Sequence, residues 1–249
     1  MIKVVLLGAG NVGTHLCSAL KNKEGLEIIQ WYNRSLNSLE KESAAIAVTQ
    51  DLNDIVEADL YIISVSDIAI PAISKALEGK KGLIAHTAGS IPMELLGAHQ
   101  NHGIFYPLQT FSKQKEVDFN QIPLCLEANQ PENLNLLKKV AQSLGGPVHL
   151  IDSAQRKALH VAAVFVNNFT NHLYTIGEEL CKAHKIPFSV LQPLIAETAD
   201  KIKHLPPSAA QTGPAARGDQ KILKNHLQYL TKESHQKLYQ LISASIQQQ

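Results

Sequence analysis

Cross-linking residues, membrane-spanning runs and charge of one sign are all scarce in this chain. Only three of its 249 residues are cysteine, Cys17, Cys125 and Cys181, far apart and without a Cys/His pair at zinc-binding spacing. That excludes a disulfide framework or zinc module and reads as reduced thiols; no metal is expected. No apolar run approaches the roughly 18 residues of a membrane span, and a strand-like run starts at Ile2, with no room for a signal peptide before it. A cytoplasmic protein is therefore expected. Lys and Arg nearly balance Asp and Glu at a net +1, so there is no basic field for nucleic acid or an anionic membrane. Aromatics make up 5% of the residues, hydrophobics 45% and charged residues 18%. That is the composition of a soluble α/β enzyme, not of a disordered or fibrous chain, and the expected partner is a small molecule.

The N-terminus is rich in ordered signals. Ile2-Lys3-Val4-Val5-Leu6-Leu7 is apolar and β-branched, as in a strand buried on both faces of a parallel sheet. It runs into Gly8-Ala9-Gly10-Asn11-Val12-Gly13, a GxGxxG turn before a helix. Gly8 allows the tight turn, Gly10 lets a pyrophosphate approach the backbone, Gly13 lets helix pack on strand, and Asn11 and Val12 open the helix. The second strand, Leu26 to Tyr32, ends in Asn33-Arg34-Ser35 with no carboxylate for a ribose 2′-OH. Arg34 can stack on adenine and pair with a 2′-phosphate, with Ser35 and Asn33 adding hydrogen bonds, so the expected cofactor is NADP(H). The alternative is a solvent-facing Arg34 in a fold that binds no phosphate.

Alternation continues with strands at Ala45 to Val48, Leu60 to Val65, Gly82 to His86, Gly103 to Tyr106, Leu124 to Glu127 and Pro147 to Ile151, and helices near Leu52 to Glu57 and from Pro131 to Ser143. Right-handed βαβ crossovers and a doubly wound, mainly parallel Rossmann sheet follow. Beyond Asp152 the pattern changes. Apolar residues spaced by three and four predict one long helix from Ser153, as N-cap, to about His184, roughly 45 Å at 1.5 Å per residue. Helices at Ser189 to His204 and from Asp219 onward complete the reading. Residues 1–152 are expected to form an NADP-binding Rossmann domain and 153–249 an all-helical substrate and dimerisation domain, the over-long helix favouring a homodimer.

In a doubly wound sheet the ligand lies beyond the carboxyl ends of the strands. Ser64, Val65 and Ser66 after the fourth strand, and His86, Thr87 and Ala88 at the fifth, are expected near the cofactor. Asp67 is either a catalytic group or the N-cap of the helix through Ile70 to Leu77. Gln109, past the sixth strand, faces the same cleft. On the long helix Lys157, His160 and Asn167 or Asn168 share about one face, where a carbonyl or imine reduction needs a proton donor and a hydrogen-bond donor. The alternative is a satisfied His160 and a solvated Lys157. Gln211-Thr212-Gly213-Pro214-Ala215-Ala216-Arg217-Gly218-Asp219 breaks the helices and ends in an N-cap; Arg217, with Thr212, can clamp a substrate carboxylate or phosphate.

These pieces, with His86-Thr87-Ala88-Gly89-Ser90, Tyr106-Pro107-Leu108-Gln109-Thr110-Phe111, His160-Val161-Ala162-Ala163 and Asn167-Asn168-Phe169, span the chain. It resembles bacterial Rossmann-like proteins with a helical C-terminal domain of unknown function, described as NADP-dependent oxidoreductases. More remotely it is similar to pyrroline-5-carboxylate reductase, ketopantoate reductase and the 3-hydroxyacid dehydrogenases related to 6-phosphogluconate dehydrogenase. The resemblance implies hydride transfer to or from a small carboxylate-bearing carbonyl, imine or hydroxy compound, ketopantoate being the first to test, and a helical domain that often dimerises. Hydroxyacid and ketopantoate enzymes space a Lys and an Asn four apart on the first long helix. Here Val161 stands at that position and the asparagines lie ten and eleven beyond Lys157, which weakens Lys157 and raises His160. A sensor or scaffold dimer that binds NADP(H) without turnover is the competing class.

Overall fold

The computed structural model describes residues 1–35 and 46–248. Contacts divide the chain into two compact units, Met1–Asn167 and Asn168–Gln249. In the first, strands β1 (Ile2–Leu7), β2 (Leu26–Tyr32), β3 (Ala47–Thr49), β4 (Leu60–Ile63), β5 (Leu83–His86), β6 (His102–Pro107), β7 (Leu124–Ala128) and β8 (Val148–Leu150) form one sheet in the order β3-β2-β1-β4-β5-β6-β7-β8. Pairing is parallel except between β6 and β7, which run antiparallel. That exception has a local cause. The β6–β7 connection holds only a single 3₁₀ turn, Phe119–Gln121, whereas a parallel return needs a crossover, usually a helix. Helices α1 (Asn11–Leu20), α2 (Ile70–Ala76) and α3 (Pro131–Leu144) supply such crossovers elsewhere.

Strand β1 shows why its run is apolar throughout. Val4 and Leu6 join a core with Leu16, Trp31, Phe105 and Leu137, while Val5 and Leu7 join a second core with Tyr61, Ile63, Ile70 and Ile84. All four β1 residues are fully buried, so each face of the sheet is covered.

Several local expectations are corrected. The third strand begins at Ala47, Ala45 lying outside the described residues, and the segment after it is a 3₁₀ turn, Leu52–Asp54, capped by Asp51. Helix α4 (Ser153–Ala163) is capped by Asp152, not Ser153. The Asp152 carboxylate accepts from the Gln155 N–H and the Gln155 side chain accepts from the Asp152 N–H, a capping box, which frees the Ser153 hydroxyl for other work. The long helix is interrupted by a π-helical turn, Val164–Phe169, before α5 (Thr170–Ala183). No Pro or Gly marks that turn, so counting by 3.6 no longer carries the His160 face on to Asn167.

The second unit contains α5, α6 (Gln192–Lys201), α7 (Pro207–Ala210), α8 (Gln220–Tyr229) and α9 (Glu233–Gln247). Asp219 caps α8 as expected, accepting from the Ile222 N–H at 3.2 Å. Neither α5, α6 nor α9 has a buried residue. Instead α5 and α9 line an apolar cavity of about 330 Å³ with Leu173, Ile176, Leu180, Leu238, Ile242 and Ile246. Among the described residues no helix is long and apolar enough to cross a membrane.

Candidate functional site

The glycine turn has the shape of an anion cradle. Gly8 has φ +110, and a Cβ there would lie 2.4 Å from the Ser64 carbonyl oxygen; one on Gly13 would lie 2.1 Å from the Gly8 carbonyl oxygen. Both positions are closed by backbone. Gly10 is the opposite: a Cβ there meets no described atom within 4 Å. Gly10 is also the N-cap of α1, with no side chain capping the first turn, so the helix presents free N–H groups and its positive dipole end beside open space. Asn11, exposed, donates its amide to the Phe111 carbonyl at 2.8 Å, tying the loop after β6 to the turn, and Val12 is half-buried against the core.

Two residues expected to touch a cofactor also brace the turn. The Ala9 N–H donates to Asn33 Oδ1 at 3.1 Å, and the Asn33 amide donates to the Ser35 carbonyl at 2.7 Å. Ser64 is buried, its hydroxyl directed at the Leu7 and Gly8 carbonyls, 3.3 Å from each. Trp31 Nε1 donates to the Gly8 carbonyl at 3.0 Å. Arg34 and Ser35 are exposed beyond β2, and no described residue pairs with the Arg34 guanidinium.

Val65 is half-buried and Ser66 exposed past β4; Asp67 opens a 3₁₀ turn, Asp67–Ala69, so Ala69 and not Asp67 stands at the N-cap of α2. The Asp67 carboxylate accepts the Ser90 hydroxyl at 2.6 Å, joining the loops after β4 and β5. His86 is fully buried at the end of β5, with Thr87 and Ala88 nearly so, and the Thr87 hydroxyl donates to the Ile63 carbonyl at 3.4 Å. His86 Nδ1 accepts the Ala88 N–H at 3.2 Å. Its Nε2 is left unbonded among the described residues; the Pro92 carbonyl lies near enough to favour the cation without completing a hydrogen bond.

Burial, helped by the nearby Arg156 cation, pushes the His86 ring down to about 4 from an ordinary 6.5. The folded protein then binds fewer protons than the unfolded chain below pH 6.5, so the stabilising contribution is complete above that value and lost as pH falls through about 4. His86 should cost the fold about 3 kcal/mol across that window, with His99, also lowered by burial, acting in the same direction. Denaturant unfolding at stepped pH should show this slope, and His86→Asn, which keeps an acceptor for the Ala88 N–H, should flatten it.

At the end of β6 the Tyr106 hydroxyl lies 3.2 Å from His160 Nδ1, with ring centroids 6.2 Å apart at 62°. A Cβ on Gly89 would fall 2.5 Å from His160 Nδ1 and 2.8 Å from Tyr106 Cζ, so the loop after β5 presses its backbone on this pair. Burial pushes the Tyr106 phenol up to about 12. On the same helix Lys157 is exposed; Asn167 is half-buried and Asn168 exposed, both inside the π turn. Gln109 is exposed, its side-chain Oε1 accepting the Thr110 N–H at 2.8 Å.

Helix α4 is fixed by a buried network. Arg156, 1% exposed, pairs through Nη1 with the Glu127 carboxylate of β7 and through Nη2 donates to the Ile91 carbonyl at 2.7 Å and Ser153 Oγ at 3.1 Å. The Ser153 N–H donates to Glu127 at 3.0 Å, and the Met93 N–H donates to Ser153 Oγ at 3.1 Å. Sequence reading singled out neither Arg156 nor Glu127 and gave Tyr106 and Gly89 no role; the His-Thr-Ala-Gly-Ser and Tyr-Pro-Leu-Gln-Thr-Phe motifs were the available signal for the last two.

In the helical unit Gly213 at φ +105 and Gly218 at φ +68 shape the bend holding Arg217. Arg217 and Thr212 are exposed, and Thr212, Pro214 and Ala215 contribute to the cavity between α5 and α9. Among the described residues no cluster of His, Cys, Asp and Glu can hold a metal ion.

A protein-family model described as Domain of unknown function (DUF2520) matches residues 122–246. The chain is similar to the crystal structure of a "putative NADP oxidoreductase" from Bacteroides fragilis, with 44% identity, TM-score 0.92, and coverage of 100% of this chain and 98% of that one. A Thermotoga maritima protein gives TM-score 0.75 at 21% identity, covering 98% and 97% of the two chains. The Plasmodium falciparum pyrroline carboxylate reductase crystallised with NADP gives 0.59 at 13% identity, covering 99% and 98%. The last two likenesses show a shared fold. No curated protein matches the chain.

Proposed function

The chain belongs to the family described as Domain of unknown function (DUF2520), and on that premise we propose that it is an NADP(H)-dependent reductase or dehydrogenase of a small carboxylate-bearing carbonyl, imine or hydroxy compound. One observation carries the reading. Gly10 opens onto space that no described residue fills at the uncapped N-terminus of α1, with Arg34 rather than a carboxylate beyond β2. The name of the 44%-identical Bacteroides fragilis protein, an NADP oxidoreductase, supports the same assignment. When bound, the nicotinamide supplies or accepts a hydride at C4. The N–H groups of Gly10, Asn11 and Val12 hold the pyrophosphate, and Arg34 with Ser35 holds the 2′-phosphate. Asn33 and Ser64 keep the turn in shape. His160 protonates or polarises the acceptor atom, assisted by Lys157 or Asn167, and Gln109 takes the substrate's anionic end. The apolar faces that α5, α6 and α9 leave uncovered support a homodimer through the helical unit.

Titration with NADPH and NADH, read by nicotinamide fluorescence, tests the cofactor assignment. NADPH should bind more tightly, and Arg34→Ala should erase the preference at a cost of about 10-fold or more in NADPH affinity, since an exposed charge-assisted contact is worth about 1.5–3 kcal/mol. Equal affinities in the unaltered protein would sink the NADP assignment. A screen of 2-oxo acids (ketopantoate first), cyclic imines and hydroxy acids should then find turnover that His160→Ala loses while cofactor binding persists.

A further inference from the structure

We infer that Tyr106 is a positioning residue that locks the neutral ring of His160 in its Nε2–H tautomer, so that His160 presents Nε2–H as a hydrogen-bond donor to the acceptor atom. This rests on the proposed reductase reading for its catalytic half only; the tautomer follows from the pair itself.

The argument is a proton count across one 3.2 Å contact. A phenol and an imidazole nitrogen share one hydrogen, so either the Tyr106 O–H donates to Nδ1 or Nδ1–H donates to the phenol oxygen. Tyr106 is 9% exposed and its hydroxyl has no other partner among the described residues. In the second arrangement the phenol proton has no acceptor among the described residues, whereas in the first it is bonded and the Nε2–H of the half-buried ring is left for solvent or a ligand. Burial holds the phenol protonated, its proton leaving only near 12, so Tyr106 remains a donor throughout the neutral range.

Gly89 packs closely on both rings, a Cβ there falling 2.5 Å from His160 Nδ1 and 2.8 Å from Tyr106 Cζ, so the loop after β5 leaves the pair little room. The proton of the neutral ring is therefore on Nε2, the nitrogen that no described residue bonds. A neutral imidazole fixed this way donates a hydrogen bond to a developing negative charge without being consumed as an acid.

The test is nitrogen NMR of the full chain labelled with ¹⁵N-histidine, the His160 resonances being identified by their loss in His160→Gln. Native protein at neutral pH should show Nδ1 unprotonated and Nε2 protonated. Tyr106→Phe keeps the ring that packs in the core and removes only the hydroxyl, and its Nδ1 shift should move toward the average of two exchanging tautomers. Gly89→Ala, which forces the rings apart, should move it the same way. Protonated Nδ1 in the native protein, or identical His160 spectra in native and Tyr106→Phe protein, would overturn the proposal. With a substrate from the screen, Tyr106→Phe should lower kcat about 10-fold with little change in KM, less than the roughly 100- to 10,000-fold loss of a proton-transfer group itself, because the native tautomer stays partly populated. Retained turnover in His160→Ala alongside the expected spectra overturns the catalytic half and leaves the tautomer assignment standing.

Discussion

Replacing Arg156 by methionine is expected to destabilise the Met1–Asn167 unit by about 3–5 kcal/mol, the cost of leaving one partner of a buried ion pair without the other. Methionine fills much the same volume, so the loss is electrostatic. The Glu127 carboxylate would keep its bonds from Ser153 but lose its cation, and the Ile91 carbonyl would lose its donor. Domains are stable by about 5–15 kcal/mol in total, so a single change of this size takes a large share of the margin. Adding Glu127→Gln in the same chain should recover part of the loss, because an amide oxygen still accepts from Ser153 and no charge is stranded. The unique Trp31, fully buried under the glycine turn, reports this unit during urea unfolding. An unchanged midpoint in Arg156→Met would mean that α4 is held by packing alone. Turnover should fall as well, since Arg156 anchors the helix one turn ahead of His160.

The parts of the molecule legible in the sequence are those in which one local pattern has one structural solution. Ile2 to Leu7 followed by Gly8, Gly10 and Gly13 leaves little choice, since the turn needs φ +110 at Gly8 and a bare Cα at Gly13. Asp219 before a helical run is a cap on the same logic. The π turn at Val164–Phe169 has no such signature; its residues suit an α-helix as well. The antiparallel β6–β7 pair depends on the absence of a helix in the connection, which is harder to read than the presence of one.

At the site the limit is distance along the chain. Tyr106 and His160 are 54 residues apart, Glu127 and Arg156 29 apart. Periodicity could put His160 on a helix but could not say what faces it. Nor does it say that Asn33 and Ser64, each past a strand, direct their side chains at the glycine turn's own backbone. Polar residues at strand ends divide between holding a ligand and holding the loop that holds it, and sequence position alone does not separate the two.

The three glycines of that turn separate the same two duties experimentally. Gly10→Ala is expected to leave stability nearly unchanged yet abolish tight NADPH binding, whereas Gly13→Ala should damage both. At Gly10 the backbone has φ −74 and ψ −172, which alanine adopts readily, and its methyl would enter space that no described atom occupies within 4 Å. Among the described residues nothing objects to it. A phosphate drawn to the α1 N-terminus would meet that methyl, and displacing it by even part of an ångström forfeits several charge-assisted N–H contacts, each worth about 1.5–3 kcal/mol. Affinity should fall by at least about 100-fold, the equivalent of two such contacts at the lower figure. At Gly13 the methyl would sit 2.1 Å from the Gly8 carbonyl oxygen and 2.6 Å from Ser64 Oγ. The first is backbone, so α1 must move off β1, taking with it the hydroxyl contacts that Ser64 makes to Leu7 and Gly8. Overpacking of this kind costs about 1–3 kcal/mol, and more where backbone cannot yield. Thermal melts with and without NADPH decide the matter. Gly10→Ala should melt with the native protein but lose the ligand-induced rise, since only a ligand that binds the folded state raises the midpoint. If Gly10→Ala kept that rise in full, the pyrophosphate would lie elsewhere and the cradle at α1 would be a turn with no ligand.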